Sequence, residues 1–224
     1  MIDKNILFDD FPSNVALWCG ANTDNGELAR VAEMVIQKKI PVVSVVPDSV
    51  DVIWPWLEQV DVHIFTRFFI ANKKISEQQI SDLTMNINMA FKSGAYGAQV
   101  FLPYTALPGL VEQTHVVRDD LFFNKSLSIC LDINEVDSCD WNNLFQNLQK
   151  INASALTLVL TKDMGDKSDF VGRIYGLLDV WNTENNFELH FILGQDFCRI
   201  EQVLRLIKSM QPSLMAKTKF FINY

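Results

Sequence analysis

Nowhere in this chain do two cysteines stand close enough to form a CxxC pair. Its four thiols, Cys19, Cys130, Cys139 and Cys198, are scattered over 224 residues. That spacing provides neither a zinc site nor a disulfide frame, and it fits reduced thiols in a cytoplasm. No apolar run approaches the length of a membrane span. The opening stretch MIDKNILFDDFPS carries acids and lacks a long apolar core, so neither a signal peptide nor a transit peptide is expected. Basic residues are outnumbered, with 19 Lys and Arg against 27 Asp and Glu, for a formal net charge of −8. Such a surface repels phosphate backbones and anionic lipid, which argues against nucleic acid and membranes as partners. There is no GxGxxG turn, no P-loop, no HExxH and no paired histidine. Low-complexity segments and linkers are also missing, so one domain over residues 1–224 is expected.

Core-forming residues are plentiful. Hydrophobic types make up 49% of the chain and Phe occurs 16 times, enough for a sizeable interior. These residues fall into a repeating rhythm. Short aliphatic runs end in polar turns and are followed by amphipathic stretches. The runs are Val15 to Gly20, Pro41 to Val46, Val62 to Thr66, Gln99 to Pro103, Leu127 to Ile133, Leu156 to Thr161, Phe187 to Leu193 and Lys219 to Ile222. Ser76 with Gln79 fits a capping box before the third amphipathic stretch, and Ser168 or Asp169 is placed to cap the sixth. Alternating strands and helices of these lengths predict parallel βαβ units. Eight units predict a closed (βα)8 barrel, an α/β domain that ends at its eighth strand without a final helix. The rival is an open doubly wound sheet.

Parity separates the two. In the third run His63, Phe65 and Arg67 share one face and Val62 and Ile64 the other. In the fifth, Ser128, Cys130, Asp132 and Asn134 oppose Ile129, Leu131 and Ile133. In the seventh, Glu188 and His190 oppose Leu189 and Phe191; in the eighth, Lys219 and Phe221 oppose Phe220 and Ile222. An open sheet covered on both sides reads apolar on both faces, whereas a barrel lumen accepts polar groups that pair. The pattern therefore favours the barrel, with Glu188 and Lys219 expected to pair near its bottom. His63 and His190 lie early in their strands and read as lumen residues rather than catalysts.

Barrel enzymes work at the carboxyl ends of their strands. Those ends offer Asp48, Arg67, Asp132, Asn134, Thr161, Lys162, Asp163 and Asp196. Asp132 points inward by parity, late in an apolar strand, and Arg67 on the same face is its expected partner: a structural ion pair, or an acid/base beside an anion clamp. Asn134, Thr161 and Asp196 join Arg67 as candidates for holding a substrate. Lys162 and Asp163 join Asp132 as catalytic candidates. Zinc finds no ligand set, and the sequence requires no cofactor, although Asp48, Asp132, Asp163 and Asp196 would suit Mg²⁺ if they converged.

The stretch LVLTKDMGD, Leu158 to Asp166, resembles the end of the sixth strand in class I aldolases and type I dehydroquinases, which hold a Schiff-base lysine there. The resemblance implies an amine role for Lys162, although Lys162 shares the face of Leu156, Leu158 and Leu160. Many barrels also grip phosphate with glycine turns after strands seven and eight. Gly194 is present here, but Tyr224 follows the eighth strand at once.

The sequence-based expectation is a lyase, aldolase- or dehydratase-like, acting on a small polar or anionic metabolite. The alternatives are an isomerase or epimerase using rim carboxylates, and a non-catalytic ligand-binding barrel. Trp54 and Trp56, flanking Pro55, would suit a homo-oligomer contact or ordinary helix packing.

Overall fold

A computed structural model describes residues 11–113, 125–160, 167–181 and 186–224. Eight parallel strands close into a barrel in sequence order. They are β1 (Val15–Trp18), β2 (Val42–Val45), β3 (His63–Phe69), β4 (Gly97–Phe101), β5 (Ser126–Asp132), β6 (Ala155–Val159), β7 (Glu188–Ile192) and β8 (Thr218–Asn223). Closure comes from β1 pairing with β8, Val15 opposite Phe220 and Leu17 opposite Ile222. Each predicted run overlaps one of these strands, and those for β1, β2 and β7 contain theirs whole. The outer layer has α1 (Asn25–Lys38), α2 (Val50–Leu57), α3 (Glu77–Lys92), α4 (Leu107–Gln113), α5 (Trp141–Lys150), α6 (Lys167–Asp179) and α7 (Phe197–Met210). No described helix is long and apolar enough to cross a membrane.

Local chemistry sets the helix starts. The Ser76 hydroxyl accepts the Gln79 N–H and the Gln79 carboxamide accepts the Ser76 N–H, the capping box read from the sequence. Asp24 and Glu27 form a second such box at α1, in the glycine- and asparagine-rich turn after β1. The proposed cap of α6 is corrected. That helix already includes Lys167, so Ser168 and Asp169 sit inside its first turn.

Two cores follow from strand parity. The outward faces pack under the helices, with Ile64, Ile129, Leu131, Leu156, Leu158, Leu189, Phe191, Phe220 and Ile222 all buried. Phe191 and Phe220 stack there at 5.4 Å. The lumen holds a separate cluster of Ala16, Val42, Phe65 and Phe221, with Trp18, Tyr96 and Ile192 against it. Side chains from alternate strands fill such a lumen in tiers. Register and alternation place Ser44, Gln99, Thr157 and Phe221 at the waist. The same register places Trp18, Arg67, Cys130 and Ile192 above it, and Ala16, Phe65, Ser128 and His190 below.

Polar pairs hold the waist. The Ser44 hydroxyl donates to Gln99 Oε1 at 2.6 Å, and the Ser128 and Thr157 hydroxyls share a bond of 2.6 Å. A buried hydroxyl is costly without a partner, so these pairs let polar side chains stand inside the barrel. Glycine marks the tight places. A Cβ at Gly97 would lie 2.5 Å from the Phe65 ring, and one at Gly94, where φ is +111°, would lie 2.4 Å from the Trp54 ring. Trp54 therefore packs inside the fold, while Trp56 is exposed.

Candidate functional site

The carboxyl mouth is built around Arg67. Its strand, β3, carries it into the lumen two residues above Phe65 and two below Phe69. The guanidinium lies over the Trp18 ring, 4.0 Å from its centroid, and Nη2 donates to the Cys19 carbonyl at 2.6 Å. Arg67 is only 4% exposed, and its Nε has no partner among the described residues. Burial pulls its pKa down to about 10, which leaves it charged at neutral pH. The same burial pushes the Cys19 thiol up to about 11 and the Cys130 thiol to about 12, so neither is a ready nucleophile.

Aromatic rings wall this cation. Phe101, at the end of β4, meets the Trp18 ring edge-on at 5.8 Å, and Phe69 stacks on Phe101 at 4.7 Å. Phe69 is 70% exposed. A large ring left open beside a buried cation is a surface suited to a ligand with both charged and apolar parts. Sequence reading missed Trp18 and Phe101. The available signal was parity: Trp18 ends β1 and Phe101 ends β4, each on its strand's inward face.

Asp132 stands at the end of β5, partly buried, where Oδ1 accepts the Asn134 N–H at 2.9 Å. It thereby caps the short 3-10 turn Ile133–Glu135. Neighbours brace that turn: Glu135 accepts the Tyr104 N–H at 2.8 Å, and Arg173 donates to the Val136 carbonyl at 2.7 Å. The expected Arg67–Asp132 ion pair is not among the contacts of Arg67, which are Trp18 and Cys19. Register explains this. Arg67 shares its tier with Cys130, and Asp132 stands two residues, roughly 7 Å, further along β5 at a strand's rise per residue.

Asp196 caps α7 through the Arg199 N–H at 3.1 Å, and its other oxygen pairs with Arg199 Nη1 at 3.2 Å. Its carboxylate is therefore engaged on its own helix. Asp48 sits in the 3-10 turn Pro47–Ser49 after β2. Thr161, Lys162 and Asp163 lie outside the described residues. The strand β6 ends at Val159. Among the described residues, no group of three or more His, Cys, Asp and Glu side chains could hold a metal ion.

No protein-family model matches the chain, and no curated protein matches it by sequence. Solved structures do match. A tetrameric deoxyribose-phosphate aldolase from Aeropyrum pernix gives a TM-score of 0.68 at 11% identity, over 97% of this chain and 87% of that one. The aldolase QR15 gives 0.67 at 10% identity, over 96% and 91%. This chain folds as those aldolases do. At such identities the likeness is one of fold, and the chemistry has to be argued from this chain's own side chains.

The opposite end of the barrel differs. Glu188 Oε2 and His190 Nε2 are hydrogen-bonded at 2.9 Å, with His190 buried. Burial lowers the His190 pKa, so the ring is neutral and Nε2–H donates. Burial would raise the Glu188 pKa, but the His190 hydrogen bond and nearby cations outweigh it and lower it. Lys219 Nζ donates to the Ser13 carbonyl at 2.8 Å. Glu188 and Lys219 thus influence one another at longer range and do not form the close pair expected from sequence. His63 stacks on Tyr96 at 3.6 Å. Both histidines occupy the structural places parity assigned them.

Proposed function

We propose that this protein is an aldolase-type lyase that takes a small anionic carbonyl metabolite at the carboxyl mouth. One observation carries the reading. Arg67 is a buried cation at the place where barrels bind substrates, and no carboxylate pairs with it among the described residues. Desolvating a guanidinium without a counter-charge is costly, and an anionic substrate group would offset that cost on binding. The fold likeness to aldolases supports the choice of reaction class.

In this reading Arg67 grips the substrate's carboxylate or phosphate, with Trp18 holding the guanidinium flat for two parallel hydrogen bonds. The amine of Lys162 adds to the substrate carbonyl and water leaves, giving a protonated imine. Asp132 then takes the proton of the β-hydroxyl. The bond between the α- and β-carbons breaks, its electron pair flows into the imine to give an enamine, and an aldehyde departs. Protonation of the enamine and hydrolysis free the second product. Asn134, Thr161 and Asp163 are assigned to positioning around this centre. Asp196 is assigned a lesser part because Arg199 and the α7 terminus already use it. That engagement also weighs against an isomerase built on paired rim carboxylates.

The test is reductive trapping. The full chain is incubated with sodium borohydride and a panel of short keto acids and aldehydes, then mapped by mass spectrometry. The expected result is a mass adduct on Lys162 that Lys162→Arg abolishes. A panel that leaves Lys162 unmodified would rule out the amine mechanism.

A further inference from the structure

The amino-terminal end of the barrel holds a cavity of about 480 Å³, separate from the mouth. Two lysines line it, Lys125 just before β5 and Lys219 in β8. Each spends one donor on a backbone carbonyl, Lys125 on Ala95 at 2.8 Å and Lys219 on Ser13 at 2.8 Å. An ammonium has three donors, so each keeps two for another acceptor. Neither lysine has a carboxylate within ion-pair distance among the described residues. The acid on the same wall, Glu188, accepts a hydrogen bond from the neutral His190 and keeps its charge, outside ion-pair distance of either lysine. The stacked rings of His63 and Tyr96 form a flat side to the cavity.

We propose that this cavity is a second ligand site, which binds the oxyanion of a small metabolite, a phosphate or a carboxylate, on Lys219 and Lys125. The chemistry is that of two cations with unused donors on the wall of one open cavity, the Lys125 ammonium also lying 5.4 Å from the Phe91 ring centroid. Desolvation lowers the pKa of both lysines, partly offset at Lys219 by the charge of Glu188. The waist of Ser44, Gln99, Thr157 and Phe221 lies between this cavity and Arg67, so the two anion sites are filled independently.

The experiment is calorimetric titration of the full chain with two probes, inorganic phosphate and malate, which distinguish a phosphate from a carboxylate ligand. Saturable binding of at least one probe is expected. Binding should persist in Arg67→Met, where the mouth has lost its cation; in that background Lys219→Met should weaken it at least tenfold and Lys219→Arg should retain it. In parallel, the unsubstituted chain is acetylated with and without the probe. Lys219 and Lys125 should be protected, a readout that stands even if a variant fails to fold. Absence of saturable binding and of protection overturns the proposal. Binding that survives loss of both lysines and disappears in Arg67→Met also overturns it, because the anion would then sit at the mouth. The borohydride result on Lys162 bears on the mouth alone, so either proposal can fail while the other stands.

Discussion

The two ends of this barrel treat charge differently. At the carboxyl mouth a single guanidinium is buried against Trp18, held by one backbone carbonyl and fringed by Phe69 and Phe101. At the amino-terminal end the charges come in a group. Glu188 is matched with His190, and Lys219 and Lys125 rest on backbone carbonyls around an open cavity. Side chains of the same parity thus serve different ends according to their height in the lumen. Alternation along a strand says which side chains face inward. Register between strands decides which of them meet.

The largest effect expected is at the mouth. Arg67→Met should reduce borohydride trapping of an anionic keto acid at subsaturating concentration by about 10- to 100-fold, the worth of a charged hydrogen bond. The same variant should melt at the same temperature or higher, since replacing an uncompensated buried charge with an apolar side chain is often neutral or stabilising. A large loss of stability would show that Arg67 supports the fold, and the contrast between the ends would collapse.

Next is the packed floor. Gly97→Ala forces the Phe65 ring to shift, and a cost of about 1–3 kcal/mol is expected from denaturant titration. No measurable cost would mean that the lower lumen is loose.

The third effect is one of pH. His190 is neutral in the fold with its pKa held below 6.5, so the unfolded chain binds the extra proton first. Its contribution to stability is complete above about pH 6.5, the unfolded value, and is lost as pH falls from there through the depressed native value. Glu188 acts in the same direction, because its lowered native pKa gives stability that fades as pH falls through that value. Denaturation midpoints should therefore drop on acidification, and His190→Phe should flatten the part of the profile just below pH 6.5. An unchanged slope would remove His190 from the account.

The smallest effect is expected at Phe69. Phe69→Ala should change stability by no more than about 0.5 kcal/mol, because the ring is largely exposed. A decrease in keto-acid trapping with stability unchanged would identify the ring as part of the substrate wall.

The architecture was readable from the chain because its signals are local. Aliphatic runs such as that around Leu127 to Leu131 alternate with amphipathic helices, and each run needs only its own residues to be recognised. Lumen parity was readable for the same reason, at His63, Phe65, Ser128, His190 and Lys219. The pairings were harder to read. Arg67 with Asp132, and Glu188 with Lys219, share the right faces. Whether they touch depends on the stagger between strands, which no single strand's sequence records. Trp18 was passed over because an aromatic residue ending a strand looks like ordinary core until Arg67 is placed above it. The cap of α1 at Asp24 went unread, although Asp24 with Glu27 three residues later carries the same signal as Ser76 with Gln79.

The hydrogen-bonded waist of Ser44, Gln99 and Thr157, with Phe221 beside them, makes this barrel two cups set base to base and not a tube. A molecule that enters either cup has to leave by the way it came. For one cup to sense the other, the message would have to travel through the strands themselves, as a small change in stagger or twist.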